Sequence, residues 1–149
     1  MKNGLTETAD RVFRVSPDPD LDAAFAAIRK ELEKATVDVA AALGRIKVEN
    51  ALIGGIAAGA YSTDPMNTTN ADFIVTSRHR DLVNRDTWTL KMGLPPSARN
   101  VRIHVMAPKK EDASHLDRAI RSSKTSRGVR VIPVEALFFL KLDGMEDPA

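Results

Sequence analysis

Leu52-Ile53-Gly54-Gly55-Ile56-Ala57-Ala58-Gly59-Ala60-Tyr61 and, after a short polar loop, Thr68-Thr69-Asn70-Ala71-Asp72-Phe73-Ile74-Val75 are the two runs that decide how this chain folds. Val48 to Ile53 is a short apolar run with the character of a strand, halted by Gly54-Gly55. Ala57, Ala58 and Ala60 follow as the small residues of a close-packed helix up to Tyr61, after which Ser62, Thr63, Asp64 and Pro65 break it. Ala71 to Thr76, rich in β-branched and aromatic residues, reads as the next strand. A glycine pair between a strand and a helix lets the backbone approach a ligand closely and leaves N–H groups at the positive end of the helix dipole. Such a corner can hold a triphosphate, although the same pair also serves as an ordinary tight strand-to-helix turn.

Outward from this centre the pattern alternates between helical and strand periods. Upstream, Leu21, Ala24, Phe25, Ile28, Leu32, Ala35, Val39 and Leu43 recur at three- and four-residue steps, with Arg29, Lys30, Glu33 and Lys34 on the other face. This predicts a long amphipathic helix over 20–44, capped by Asp20 or Asp18 and ended by Gly44. Downstream, Leu82, Val83 and Trp88 suggest a helix that Pro95-Pro96 ends. Val101, Ile103 and Val105 alternate with Arg102 and His104, the period of a strand with one face buried. Lys110 to Ser122 looks helical, and Val129 to Pro133 is a further strand. Val134 to Leu142 opens a last helix in which Leu137, Phe138, Leu140 and Leu142 are expected to bury against the sheet. The fold class is therefore α/β (α+β): a short mixed sheet of roughly four strands, helices mainly on one face, and a long N-terminal helix. The expected organisation is a partly ordered lead-in over 1–19 and one domain over 20–149, with its core at 48–142.

Composition bounds the function. The chain has 149 residues, 43% of them hydrophobic, enough for one sizeable core. It contains no cysteine, which removes disulfides, thiolate metal sites and cysteine nucleophiles and fits a cytoplasmic setting. The apolar run 51–61 is too short to span a bilayer, so no membrane partner is expected. The net charge of +2 conceals basic residues clustered between Arg99 and Arg130, either a solvated face or a phosphate-contacting surface. The run Arg118, Arg121, Lys124, Arg127, Arg130 has no interleaved aromatics, which weakens a single-strand nucleic-acid reading.

The two runs quoted at the outset resemble the core of the DNA polymerase β-like nucleotidyltransferase superfamily. They look most like the small bacterial branch related to the toxins of type IV toxin–antitoxin systems. In that pattern Gly54 and Gly55 match the glycine pair, Thr68 the threonine and Asp72 the second aspartate of Thr-x-Asp-x-Asp. Asn70 stands where the first aspartate is expected, and Met66 where an arginine often precedes the threonine. The tail, 129–142, is similar to the family's strand followed by a helix carrying Leu-x-x-Leu-Lys-Leu.

The resemblance implies a nucleotidyltransferase moving a nucleoside monophosphate from a nucleoside triphosphate to a protein, RNA or small-molecule acceptor. The implied cofactor is Mg2+, held by paired carboxylates that stabilise both oxygens of an in-line displacement. Acids separated by one residue on a strand share a face and so can share metals. Here that pair is Asn70 and Asp72, and an amide oxygen brings no charge. The third acid would come from Val101 to Met106, where His104 or Arg102 stands instead. The implied site is Asp72 and Asn70 for catalysis, Gly54, Gly55, Thr68 and Thr69 for the nucleotide, and Asp72, Asn70 and His104 for metal. The alternative is a catalytically inactive relative acting as nucleotide sensor or protein-binding partner in a toxin–antitoxin system. Asp64 is either a displaced carboxylate or part of a turn, and Trp88 and Tyr61 read as core or interface anchors rather than base-stacking platforms. A homodimer through the long helix is compatible with the pattern.

Overall fold

The computed structural model describes residues 18–142. Most of the expected lead-in, and the segment beyond Leu142, lie outside the described residues. The chain forms α1 (Leu21–Ala26), α2 (Lys30–Arg45), β1 (Asn50–Ile53), α3 (Gly54–Ala60), β2 (Asn70–Val75), α4 (Arg85–Met92), β3 (Arg102–Met106), α5 (Ala113–Arg121), β4 (Lys124–Ser126), β5 (Val129–Val131) and α6 (Val134–Leu142). Single-turn and two-turn 3₁₀ segments precede α4, β3 and α5.

The sheet is mixed and five-stranded, in the order β3-β2-β1-β5-β4. β1 runs antiparallel to β2 and parallel to β5, and β2 runs parallel to β3. All four residues of β1 are buried, as expected of a central strand. Tight register follows from alternation: Ala71 and Phe73 go to the core, as do Ile103 and Val105 on β3.

The eight apolar positions that set the period of the expected N-terminal helix, from Leu21 through Leu43, are all buried. The helix is nevertheless in two pieces. α1 is capped by the Asp20 carboxylate, which accepts from the Ala23 amide at 3.3 Å. The chain leaves helical geometry at Arg29, whose ψ of 148° re-aims it before the longer α2 begins. α2 also passes Gly44. It ends in a Schellman motif: the Val48 amide donates to the Leu43 carbonyl and Lys47 to Gly44, with Lys47 at φ 60°.

Glycine and alanine in α3 let α1 approach it closely, since a Cβ on Gly59 would meet the Ala24 Cβ at 3.3 Å. The Asp20 amide donates to the Ala60 carbonyl at 2.8 Å across the same contact. Tyr61 is buried and donates its hydroxyl to the Ile132 carbonyl at 2.9 Å, pinning the end of α3 to the strand beside β1. Trp88 is buried as an anchor, with the Arg85 guanidinium 5.4 Å from its ring centre.

β4 is an addition to the expected sheet. It pairs with β5 across the two-residue turn Arg127-Gly128, both at positive φ, the geometry of a tight hairpin. α6 forms where expected with Leu137 and Leu140 buried, but Phe138 is 39% exposed: the buried stripe of the helix is Ala136, Leu137 and Leu140, and Phe138 falls outside it.

Candidate functional site

The site is assembled by β1, α3, the loop ahead of β2, β2 and β3. β2 alternates its faces, so Asn70 and Asp72 fall on one side while Ala71 and Phe73 enter the core. The register places Ile53 opposite Asp72 on one flank and His104 opposite Asp72 on the other. Gly54 follows Ile53 directly and turns the chain at φ 74°. A Cβ there would lie 2.3 Å from Asp72 Oδ2, so the carboxylate occupies the space that glycine leaves. At Gly55 a Cβ would lie 3.0 Å from Thr68 Oγ1. The glycine pair and the Thr-x-Asn-x-Asp run therefore face one another residue by residue.

Asp72 Oδ1 accepts from Asn70 Nδ2 at 2.8 Å and lies 2.9 Å from His104 Nδ1. The side chains of Asp72 and His104 retain 13% and 18% exposure, so both can be reached from solvent. Of the expected site residues, the structure brings together Gly54, Gly55, Thr68, Asn70, Asp72 and His104. Thr69 is exposed, and Arg102 is exposed opposite Asn70, which leaves His104 as the β3 residue beside the carboxylate.

Two cavities lie near this corner, and one of them is lined by its residues Gly55 and Thr68. One, of about 360 Å³, runs along α3 from Gly55 to Ser62 beneath Asp64, Met66 and Thr68. Asp64 is exposed there, its amide donating to Ser62 Oγ in the turn reading of the sequence. The other, of about 330 Å³, begins two register pairs beyond Asp72 and His104, where Ile74 lies opposite Met106, and is lined by Arg80, Val83, Leu116 and Leu140. No sequence motif singled out this apolar cavity. The signal for it was the period-two row that continues from Asp72 to Ile74 and from His104 to Met106.

Magnesium needs hard oxygen ligands anchored by one or two carboxylates. The corner offers Asp72, an amide that presents its nitrogen, and an imidazole. Among the described residues, no group of three or more histidine or carboxylate side chains is placed to hold a metal ion. The residues present do not fit the two-metal centre that the family resemblance implies.

The basic run is largely committed within the fold. Arg121 Nε donates to both Glu49 oxygens at 3.1 and 3.2 Å and holds that carboxyl below its ordinary range. Lys124 pairs with Asp18, Arg127 with Asp22 and Glu33, and Arg130 donates to the Ile120 and Arg121 carbonyls. Among the described residues, no helix is long and apolar enough to cross a membrane. No family model, curated protein or solved structure matches the chain.

Proposed function

We propose that this chain is a nucleotidyltransferase-like protein that binds a nucleoside triphosphate at the corner of Gly54, Gly55, Thr68 and Asp72. It acts in the bacterial cytoplasm as a nucleotide sensor or protein-binding partner, a toxin–antitoxin pair being one such setting. The observation that carries this reading is the double apposition of Gly54 with Asp72 and of Gly55 with Thr68. Residues far apart in sequence pack so closely that only glycine fits at 54 and 55, and the glycine backbone and the Thr68 side chain border the cavity of about 360 Å³ along α3, where a ligand can approach the backbone closely.

The test is calorimetric titration with ATP, GTP, CTP and UTP, each with and without magnesium. At least one nucleotide is expected to bind wild type, and Gly55→Val, which would press on Thr68, is expected to weaken it about tenfold or more. Failure of every nucleotide to bind folded wild type would overturn the reading.

A second reading is an active transferase with a protein, RNA or small-molecule acceptor and magnesium. It is favoured by one observation: Asp72 keeps its carboxylate, partly exposed, against the glycine turn. Transfer of labelled nucleoside monophosphate onto protein or RNA, lost in Asp72→Ala, would establish it.

A further inference from the structure

Asp72 is the only carboxylate of the corner described above, and its surroundings are those of an acceptor already engaged. A carboxylate oxygen has two in-plane lone pairs. On Oδ1 these face Asn70 Nδ2 at 2.8 Å and His104 Nδ1 at 2.9 Å. Facing an acceptor, the amide presents its NH₂ and turns its own oxygen away, and the imidazole presents a protonated Nδ1. Oδ2 fills the space above Gly54. The two positions where the family pattern expects further acids are thus held by hydrogen-bond donors, and both donors converge on one oxygen. Random loss of metal ligands would leave Asp72 facing empty space or an apolar side chain, at the cost of an unpaired, partly buried charge.

We propose that Asn70 and His104 take the place of the metal ions, so that the corner binds its nucleotide without a divalent cation. Asp72 is then a positioning residue: it ties β2 to β3 and fills the floor under Gly54, rather than ligating a metal. This rests on the corner being a nucleotide site, but its own test does not require nucleotide to bind. The donors supply to Asp72 what cations supply elsewhere, local compensation of its charge, in a geometry fixed by the Asp72 to His104 register.

The experiment has two arms on the full chain. In the first, Mn2+ is added to wild type and the amide and His104 ring signals are followed by NMR for paramagnetic broadening. Signals of residues 70–72 and 104 are expected to stay sharp at about 0.1 mM Mn2+, a concentration at which a site anchored by two or more carboxylates is loaded. Selective broadening there, abolished in Asp72→Ala, would overturn the proposal whether or not any nucleotide binds. In the second arm, the wild-type affinity for its best nucleotide is expected to change less than about twofold between magnesium and EDTA, while Asn70→Asp/His104→Asp becomes at least about tenfold dependent on magnesium. A tenfold magnesium dependence in wild type would overturn it too. If the double variant does not fold, the wild-type measurements alone decide. Absence of nucleotide binding with sharp signals in Mn2+ leaves the metal-free assignment standing and overturns only the nucleotide reading.

Discussion

Asp72 Oδ2 stands 2.3 Å from the point where Gly54 would carry a Cβ, so the carboxylate and the turn occupy complementary halves of one volume. Gly54 also sits at φ 74°, a conformation that costs an L-residue about 1 kcal/mol or more. Gly54→Ala is therefore expected to destabilise the fold by about 2–4 kcal/mol, because backbone strain and a steric clash add. In an Asp72→Gly background the clash disappears and only the backbone part, about 1–2 kcal/mol, should remain. Denaturant midpoints of the two single variants and the double variant measure the difference. Full additivity would show that the two residues do not share the volume.

Asn70 is expected to be worth more to the fold as an amide than as the acid its position suggests. Asn70→Ala removes one donor from Asp72 and should cost about 1 kcal/mol. Asn70→Asp removes the same donor and sets a second carboxylate beside the first. Its cost should be larger, about 2 kcal/mol without divalent ions, and should shrink in high salt. Thermal melts of the variants at low and high salt compare these directly. Equal costs for the two substitutions would show that Asp72 carries no charge the amide compensates.

Tyr61 links the end of α3 to Ile132, and burial raises its phenol from 10.0 to about 12, with smaller contributions from Glu135 and Asp18. A group that binds its proton more tightly when folded contributes stability that is fully present below the unfolded value near pH 10 and is lost as pH rises toward 12. Wild type should therefore lose about 2 kcal/mol across that window relative to Tyr61→Phe, in which the dependence is absent. At pH 7 the order reverses: the phenylalanine variant should be less stable by about 1 kcal/mol for want of a partner to the Ile132 carbonyl. Crossing stability curves between pH 7 and 12 are the expected signature, measured by urea unfolding at fixed temperature.

How much of this was legible in the sequence depends on whether local chemistry or tertiary contact made the choice. The buried stripe from Leu21 to Leu43 and the alternation of Val101, Ile103 and Val105 were readable, because burial imposes a period that the residues themselves record. The apposition of Asp72 with Gly54 was foreshadowed only by the family pattern, since nothing in spacing alone pairs residue 54 with residue 72. β4 was missed because Arg127-Gly128 lacks the Asn-Gly or Asp-Gly signature of a tight hairpin. Arg127 is instead held there by Asp22, Glu33 and the Phe25 ring, whose centre lies 5.5 Å from its guanidinium. The choice between Arg102 and His104 at the site needed the register of β3 on β2, since the two share a face and a two-residue slip would exchange them.

The end of α2 shows the same limit and offers a way to test it. Gly44 reads as the helix stop, yet the left-handed position belongs to Lys47, at φ 60°, three residues later. Leu43 and Val48 are both buried in the core, and the Val48 amide closes the Schellman motif on the Leu43 carbonyl at 3.0 Å. The helix therefore ends where two apolar residues meet, not where glycine stands. A lysine in this conformation carries strain that glycine would not. Lys47→Gly is thus expected to stabilise the protein by about 0.5–1 kcal/mol, the relief of strain outweighing the extra freedom of the unfolded chain. Gly44→Ala, within the helix and with no neighbour within 4 Å of a new Cβ, should also stabilise by about 1 kcal/mol. Both are read from urea midpoints. A loss of stability in Gly44→Ala would mean that residue 44, not residue 47, terminates the helix.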